Sequence, residues 1–255
     1  MNFDKLRNQI NFIHEIDKVK YILRKTKLFN SDRNENDAEH SWHLAIMAII
    51  LAEYANEPVD VLKVVKMLLI HDVVKIDAGD VFLYDTVINH TNTDAETEAA
   101  KWIFGLLPPE QAADLITIWE EFEAGQTTEA KFARAMDRLE PLLQNISNNG
   151  GTWKEFSVSY ERVLEKKGVI QHGSEELWAF AEKLINESAE KAFYKRNQNC
   201  NFKIIYIIPE STGKTVRCFL VNQYDYGYFV HPDYLIKLML FKHPVDDNNL
   251  FQLTK

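Results

Sequence analysis

Four residues of this chain have types and spacing that can do chemistry together: His40, the adjacent pair His71 and Asp72, and Asp137. They fall in three separate amphipathic segments, each at the edge of an apolar stripe. Two imidazoles and two carboxylates make a mixed nitrogen and oxygen ligand set. Such a set suits one divalent ion, Mn, Co, Fe, Zn or Mg, without choosing among them, and it leaves positions open for water and substrate oxygens. Taken singly, each residue has an ordinary explanation. A lone histidine on an apolar face is usually a hydrogen-bonded core residue, and an adjacent His-Asp pair is common by chance. The conjunction points to a metal, because an uncompensated buried aspartate is costly and a bound cation is one of the few things that offsets it. The other histidines carry less. His43 lies one helical turn from His40 and either supports it or packs with Trp42 and Leu44. His90 sits in a polar stretch and reads as surface. His231 and His243 have no partner at metal-ligand spacing.

The elements that must position these residues read as helices over residues 1 to about 195. Leu6, Ile10, Ile13, Ile16, Val19 and Leu23 recur at helical spacing, which predicts one helix from Leu6 to Leu23. Asn36 and Glu39 stand three apart, a capping-box signature for the start of the next helix, which is expected to run to about Ala55. Its stripe of His40, Leu44, Met47 and Leu51 turns His40 inward. A further helix begins near Pro58 and runs through Val64 and Leu68 to His71-Asp72, with Gly79 marking a break. Residues 80–95 read as a long connection of the kind that serves as a lid or binding loop. Helices are expected over 95–106, 109–124 and 127–147, and a last one from Ser174 to Phe193. Pro141 lies four residues after Asp137, so its ring opposes the Asp137 carbonyl and predicts a kink or a lost hydrogen bond there.

After Asn197 the texture changes. Phe202–Ile208 and Lys214–Val221 are rich in β-branched and aromatic residues around a turn at Pro209–Gly213. We read a β-hairpin, a third strand near Tyr226–Val230 and a short helix after Pro232. The expected organisation is therefore a helical domain, 1–195, and a β-rich appendage, 196–255, of unassigned role.

Composition narrows the function classes. The net charge of −9 opposes tight binding to long nucleic acids, which requires neutralising many phosphates. It leaves room for a small nucleotide held by a metal and a few local cations. No apolar run approaches the roughly 18–20 residues of a membrane span, and the first residues contain no apolar signal region. Cys200 and Cys218 are the only cysteines, which fits a reducing, cytoplasmic setting.

The stretches RNENDAEHSWHLA (33–45), MLLIHDVVKIDAGD (67–80) and AMDRLEPLLQN (135–145) resemble the HD-domain metal-dependent phosphohydrolases, and within them the 5'-deoxynucleotidase-like branch. The resemblance covers about residues 1–195. It implies a compact helical bundle, a homodimer, and one divalent metal on His40, His71, Asp72 and Asp137. It also implies that Asp80 lies at the substrate sugar and near the attacking water. A basic residue before the first metal histidine orients the phosphate in this family. Ungapped counting puts that role on Lys25, and a one-residue slip puts it on Arg24. Arg33 precedes the His40 helix and either meets a phosphate there or is a solvated surface charge.

One position departs from the family pattern. The usual glutamate three residues after the HD aspartate is Lys75 here. A carboxylate accepts a proton at neutral pH and an ammonium does not, so Lys75 is expected to weaken catalysis and to repel the metal. Three readings follow. The first is hydrolysis of (deoxy)nucleoside 5'-monophosphates to nucleoside and phosphate. The second is HD phosphohydrolysis of another nucleotide, an alarmone or a dNTP. The third is a nucleotide- or metal-binding sensor that has lost turnover through Lys75.

Overall fold

The computed structural model describes residues 3–85, 93–190, 208–209, 216–219 and 250–253. The chain divides into two units, 1–196 and 197–255. Among the described residues, the regular elements of the first unit are helices apart from one two-stranded ribbon.

The N-terminal segment differs from its reading as one helix. Helix α1 spans Asp4–Ile16, a 3-10 turn follows at Asp17–Tyr21, and the chain then extends as strand β1, Leu23–Lys27. The apolar positions that suggested a longer helix do not share one buried face: Leu6, Ile10 and Ile13 are all exposed. Phe12, Ile16 and Val19 are the residues that pack inward, with Phe12 against the Phe104 ring. Strand β1 pairs antiparallel with β2, Asn34–Asn36. A strand sends successive side chains to opposite faces. Arg24 and Thr26 therefore turn inward while Leu23 and Lys25 turn outward.

Helix α2, Asp37–Leu51, starts on the expected capping box. Asn36 Oδ1 accepts from the Glu39 amide at 3.0 Å and Glu39 Oε2 accepts from the Asn36 amide at 3.1 Å. Helix α3, Val61–Ile70, is capped by Asp60 and ends one residue before His71. The His-Asp pair thus lies at the C-cap and in the tight turn after it: the His71 backbone is still helical and its amide donates to the Met67 carbonyl at 2.9 Å, while the amides of Val73 and Lys75 reach back only three residues. The short helix α4, Lys75–Ala78, closes on Gly79, whose φ of +79° turns the chain so that Asp80 comes back beside Lys75. That conformation is one an L side chain rarely adopts.

Helices α5 (Thr93–Phe104), α6 (Pro109–Ala124) and α7 (Thr128–Ser147) follow. Next come α8 (Gly151–Glu155), α9 (Tyr160–Lys167), α10 (Ile170–Gly173) and α11 (Glu175–Glu190). Helix α7 is the central rod. Phe132, Ala133, Met136, Leu139 and Leu142 on it pack with Leu44 and Ala48 of α2, Val64 and Leu68 of α3, and with Trp153 and Ile185. A second cluster joins Val73 and Val74 to Ile103, Phe104 and Trp119. The turn carrying His71 and Asp72 sits where these clusters meet, so its backbone is pinned from both sides. Pro141 lies inside α7, where it removes the hydrogen bond that the Asp137 carbonyl would otherwise accept.

In the second unit, β3 (Ile208–Pro209) and β4 (Val216–Phe219) pair antiparallel, as the hairpin reading expected. The third strand of this sheet is β5, Leu250–Leu253, on the other side of β4. The expected strand near Tyr226–Val230 and the helix after Pro232 lie outside the described residues. Among the described residues, no helix is long and apolar enough to cross a membrane.

Candidate metal centre

The two histidines are oriented from behind. His71 Nδ1 lies 2.9 Å from the Leu68 carbonyl, which can only accept, so Nδ1 carries the proton. In the neutral ring Nε2 then carries the lone pair. It is buried and, among the described residues, has no hydrogen-bond partner. Asp72 Oδ1 lies 3.3 Å from it and Asp137 Oδ1 3.7 Å. His40 is held the same way: Nδ1 faces Glu140 Oε2 at 3.2 Å and Glu35 Oε2 at 3.3 Å, leaving Nε2 3.1 Å from Asp137 Oδ1. Ligand atoms of His40, His71 and Asp72 lie within 4.8 Å of one another. Asp137 reaches the same place through Oδ1, while its Oδ2 accepts from Arg138 at 2.7 Å. A carboxylate or carbonyl behind each imidazole is the arrangement that fixes tautomer and ring direction in metal sites.

The charges agree with a cation-binding centre. Burial and the Arg24 charge oppose protonation of His40, but Asp137, Glu140 and Glu35 outweigh them and raise its pKa to about 10. Burial also opposes protonation of His71, and Asp72 and Asp137 raise its pKa to about 9. Despite burial, Asp72 is held well below the ordinary carboxylate range by His71, Lys75 and Arg24. Arg138 and both histidines do the same for Asp137. Glu140 falls to about 2, its burial outweighed by His40 and His43. The carboxylates thus draw positive charge onto the imidazole nitrogens, and a metal ion at those nitrogens would take the place of protons. The unpartnered His71 Nε2 and the mixed donor set both fit such an ion.

On the other side of Asp72 stands a second group. Arg24 Nη1 donates to Asp72 Oδ2 at 2.8 Å and to Asp37 Oδ1 at 2.9 Å. Lys75 Nζ donates to Asp80 Oδ1 at 2.7 Å and lies 3.0 Å from Asp72 Oδ2. Asp37 is fully buried, and burial together with repulsion from Asp72 pushes its pKa up to about 6. Both groups border a cavity of about 590 Å³, whose wall also includes Lys25, Phe82, Phe122, Arg138 and Lys167. Lys167 is buried, donates to the Arg138 carbonyl at 2.8 Å, and has its pKa depressed to about 7 by burial and by Arg138. Another cavity, of about 500 Å³, is lined by residues such as Lys27, Asn148 and Lys154 and contains no histidine.

Most of the residues singled out in the sequence converge here, and Arg33 does not. It is an exposed side chain that pairs with both oxygens of Glu39, at 2.7 and 3.0 Å, and so braces the start of α2. Its charge is spent on a neighbouring carboxylate, away from the cavity. Of the two alternatives upstream, Arg24 points at the carboxylates and Lys25 stays at the exposed rim. Lys75 is not loose among repelling cations, since carboxylates anchor it. Sequence reasoning missed Asp37, Glu35 and Glu140. Glu140 had a signal, because it stands one helical turn after Asp137 on the same inward face. Asp37 had none beyond being an acid in a first helical turn.

A family model for the HD domain matches residues 16–178, and the chain belongs to the HD-domain family of metal-dependent phosphohydrolases. The crystal structure of a predicted metal-dependent phosphohydrolase from Magnetospirillum magnetotacticum MS-1 is 48% identical, with a TM-score of 0.72 over 75% of this chain and 96% of that one. The PH0347 protein from Pyrococcus horikoshii OT3 shares the fold at 21% identity, with a TM-score of 0.51 over 71% of this chain and 99% of that one. Among curated proteins, 5'-deoxynucleotidase HDDC2 of Bos taurus is 27% identical over 176 residues, 66% of this chain and 84% of that protein. Its Homo sapiens counterpart is 28% identical over 175 residues, again 66% and 84%.

Proposed function

We propose that the cavity hydrolyses (deoxy)nucleoside 5'-monophosphates to nucleoside and phosphate, with one divalent ion held by His40, His71, Asp72 and Asp137. The observation that carries the reading is the pair of back-braced imidazoles converging on two carboxylates at a cavity wall. The names of the HDDC2 relatives support the substrate class. A bound divalent ion supplies charge to the phosphoryl oxygens and acidifies water. The residues around it do the rest. Arg24 brings a guanidinium, which stays charged throughout, to neutralise the phosphate. Asp80, at the cavity edge, orients the sugar and the attacking water. The water oxygen bonds to phosphorus, the bond from phosphorus to the 5'-oxygen breaks, and the proton the water gives up ends on that oxygen, which leaves as the nucleoside hydroxyl. Lys75 does not act as the base, because Asp72, Asp37 and Asp80 raise its pKa against burial and the Arg24 charge, so it stays an ammonium.

The test is phosphate release from a panel of nucleotides with Mn, Co and Mg. Release from monophosphates supports the proposal. Pyrophosphate or triphosphate as the product would replace it with a hydrolase of alarmones or dNTPs. Tight nucleotide binding without turnover would replace it with a sensor. We also propose a cytoplasmic homodimer. Helix α2 is apolar on its outer face too, with Trp42, Ile46, Ile49 and Ile50 exposed. A monomer mass in sedimentation at micromolar concentration would reject the dimer. The domain split is proposed to be functional: residues 196–255 should be dispensable for metal binding, because every proposed ligand precedes them.

A further inference from the structure

We propose that Lys75 is a built-in cation, its ammonium holding the place of a second divalent ion so that the centre works with one metal. This rests on the metal reading above. Asp72 presents its two oxygens to different partners. Oδ1 faces His71 Nε2 at 3.3 Å, while Oδ2 faces Arg24 at 2.8 Å and Lys75 at 3.0 Å. Lys75 Nζ also has Asp80 Oδ1 at 2.7 Å and Asp37 Oδ1 at 3.8 Å. Three carboxylates from three segments, the first turn of α2, the turn after α3 and the turn after Gly79, therefore converge on one ammonium. Asp72 is common to this group and to the proposed metal ligands, so a cation at the ammonium position would be bridged by Asp72 to the ion at the histidines. Asp37 adds an independent observation: it is fully buried, and its Oδ2 has no hydrogen-bond partner among the described residues.

A carboxylate group of this kind needs positive charge, and Arg24 alone leaves it in anionic excess. Lys75 supplies one unit on a tether that starts at the first residue of α4. It serves as a positioning residue. It fixes Asp72 Oδ2 so that Oδ1 is aimed at the histidine side, and it holds Asp80 at the cavity edge. A glutamate at this position would do the opposite, adding a fourth acid and a ligand where the ammonium had been. Hard divalent ions favour such oxygen sets.

The test counts ions. Wild type titrated with Mn(II) should take up one ion per chain, with the electron paramagnetic resonance signal of an isolated ion. Lys75→Glu should take up two, and exchange broadening should report that they are adjacent. Should that variant fail to fold, Lys75→Gln keeps the three carboxylates and adds no charge, and it should also take a second, weaker ion. Two coupled ions in wild type would overturn the proposal while leaving the metal reading intact. One ion in every folded variant, or a second ion without coupling, would overturn it equally. No ion in wild type would mean that the metal reading itself has failed.

Discussion

The two sides of Asp72 are built on opposite plans. On one side stand His40, His71 and Asp137, where the positive charge is protons on imidazoles with pKa values of about 10 and about 9. On the other stand Arg24 and Lys75, whose charges are fixed to the chain. The histidine side is buried and the Arg24 and Lys75 side largely so, and both are rich in carboxylates, so burial alone does not explain the contrast. What differs is whether the positive charge can leave. An imidazolium gives up its proton and keeps a lone pair for a metal, whereas a guanidinium or an ammonium hydrogen-bonded to carboxylates keeps its place. The proposed exchangeable cation site therefore fits the histidine side, and the fixed charges of the other side fit the proposed anionic substrate.

The largest effect is expected from Asp72→Ala, which removes the residue shared by both sides. The variant should retain no metal after dialysis and should show no phosphate release, while remaining helical by circular dichroism. Metal content equal to wild type would break the assignment. Next comes Lys75→Glu, which makes the fixed side resemble the exchangeable one. With Mn present, kcat for a monophosphate should rise by about 10²-fold, the lower end of what general acid–base assistance supplies. A fall in kcat would mean that the ammonium is itself needed at the phosphate. Glu140→Gln removes the charge behind His40 and should weaken metal affinity about tenfold, with the fold intact. Calorimetric titration of the ion measures this, and unchanged affinity would count against the bracing role.

A pH experiment sharpens the same contrast. The folded pKa values of His40 and His71 lie above the unfolded value of about 6.5. Their contribution to stability in metal-free protein is therefore complete below pH about 6.5, and it is lost as pH rises through about 9 and about 10. Denaturation midpoints in chelator should fall over that window, and a saturating divalent ion should flatten the fall. If both protons are displaced, metal affinity should rise by about 100-fold per pH unit across the lower part of the window. The smallest effect is expected at Arg33, which touches neither side. Arg33→Ala should leave kcat and metal content unchanged, and a large change in either would return Arg33 to the site.

Much of the fold was legible from periodicity, and the exceptions share a cause. The helices α5, α6, α7 and α11 lie close to their expected positions, because each carries its own stripe, cap or breaker. The segment after Ile16 was misread because Val19 and Leu23 continue a helical spacing, although only Val19 is buried against the neighbouring cluster. Pairing of β1 with β2 is decided between segments, and a one-residue change of face separates Arg24, inside, from Lys25, outside. That is why the ungapped count left the choice between them open.

By itself, the sequence determined the local facts. His40 faces inward because of the stripe it belongs to, His71 and Asp72 act from one turn because they are adjacent, and Gly79 reverses the chain because only glycine takes its φ at little cost. Only the tertiary structure decided which acids stand behind the histidines and which oxygen of Asp72 meets which cation. Glu35 and Glu140 reach His40 from different segments, and Asp37 and Asp80 reach Lys75 from opposite ends of the α2–α4 stretch. The physical reason is range. Caps, turns and helical stripes act within a few residues, whereas buried charges interact with whatever folding brings within a few ångströms, and in low-dielectric surroundings those distances set protonation and partner alike.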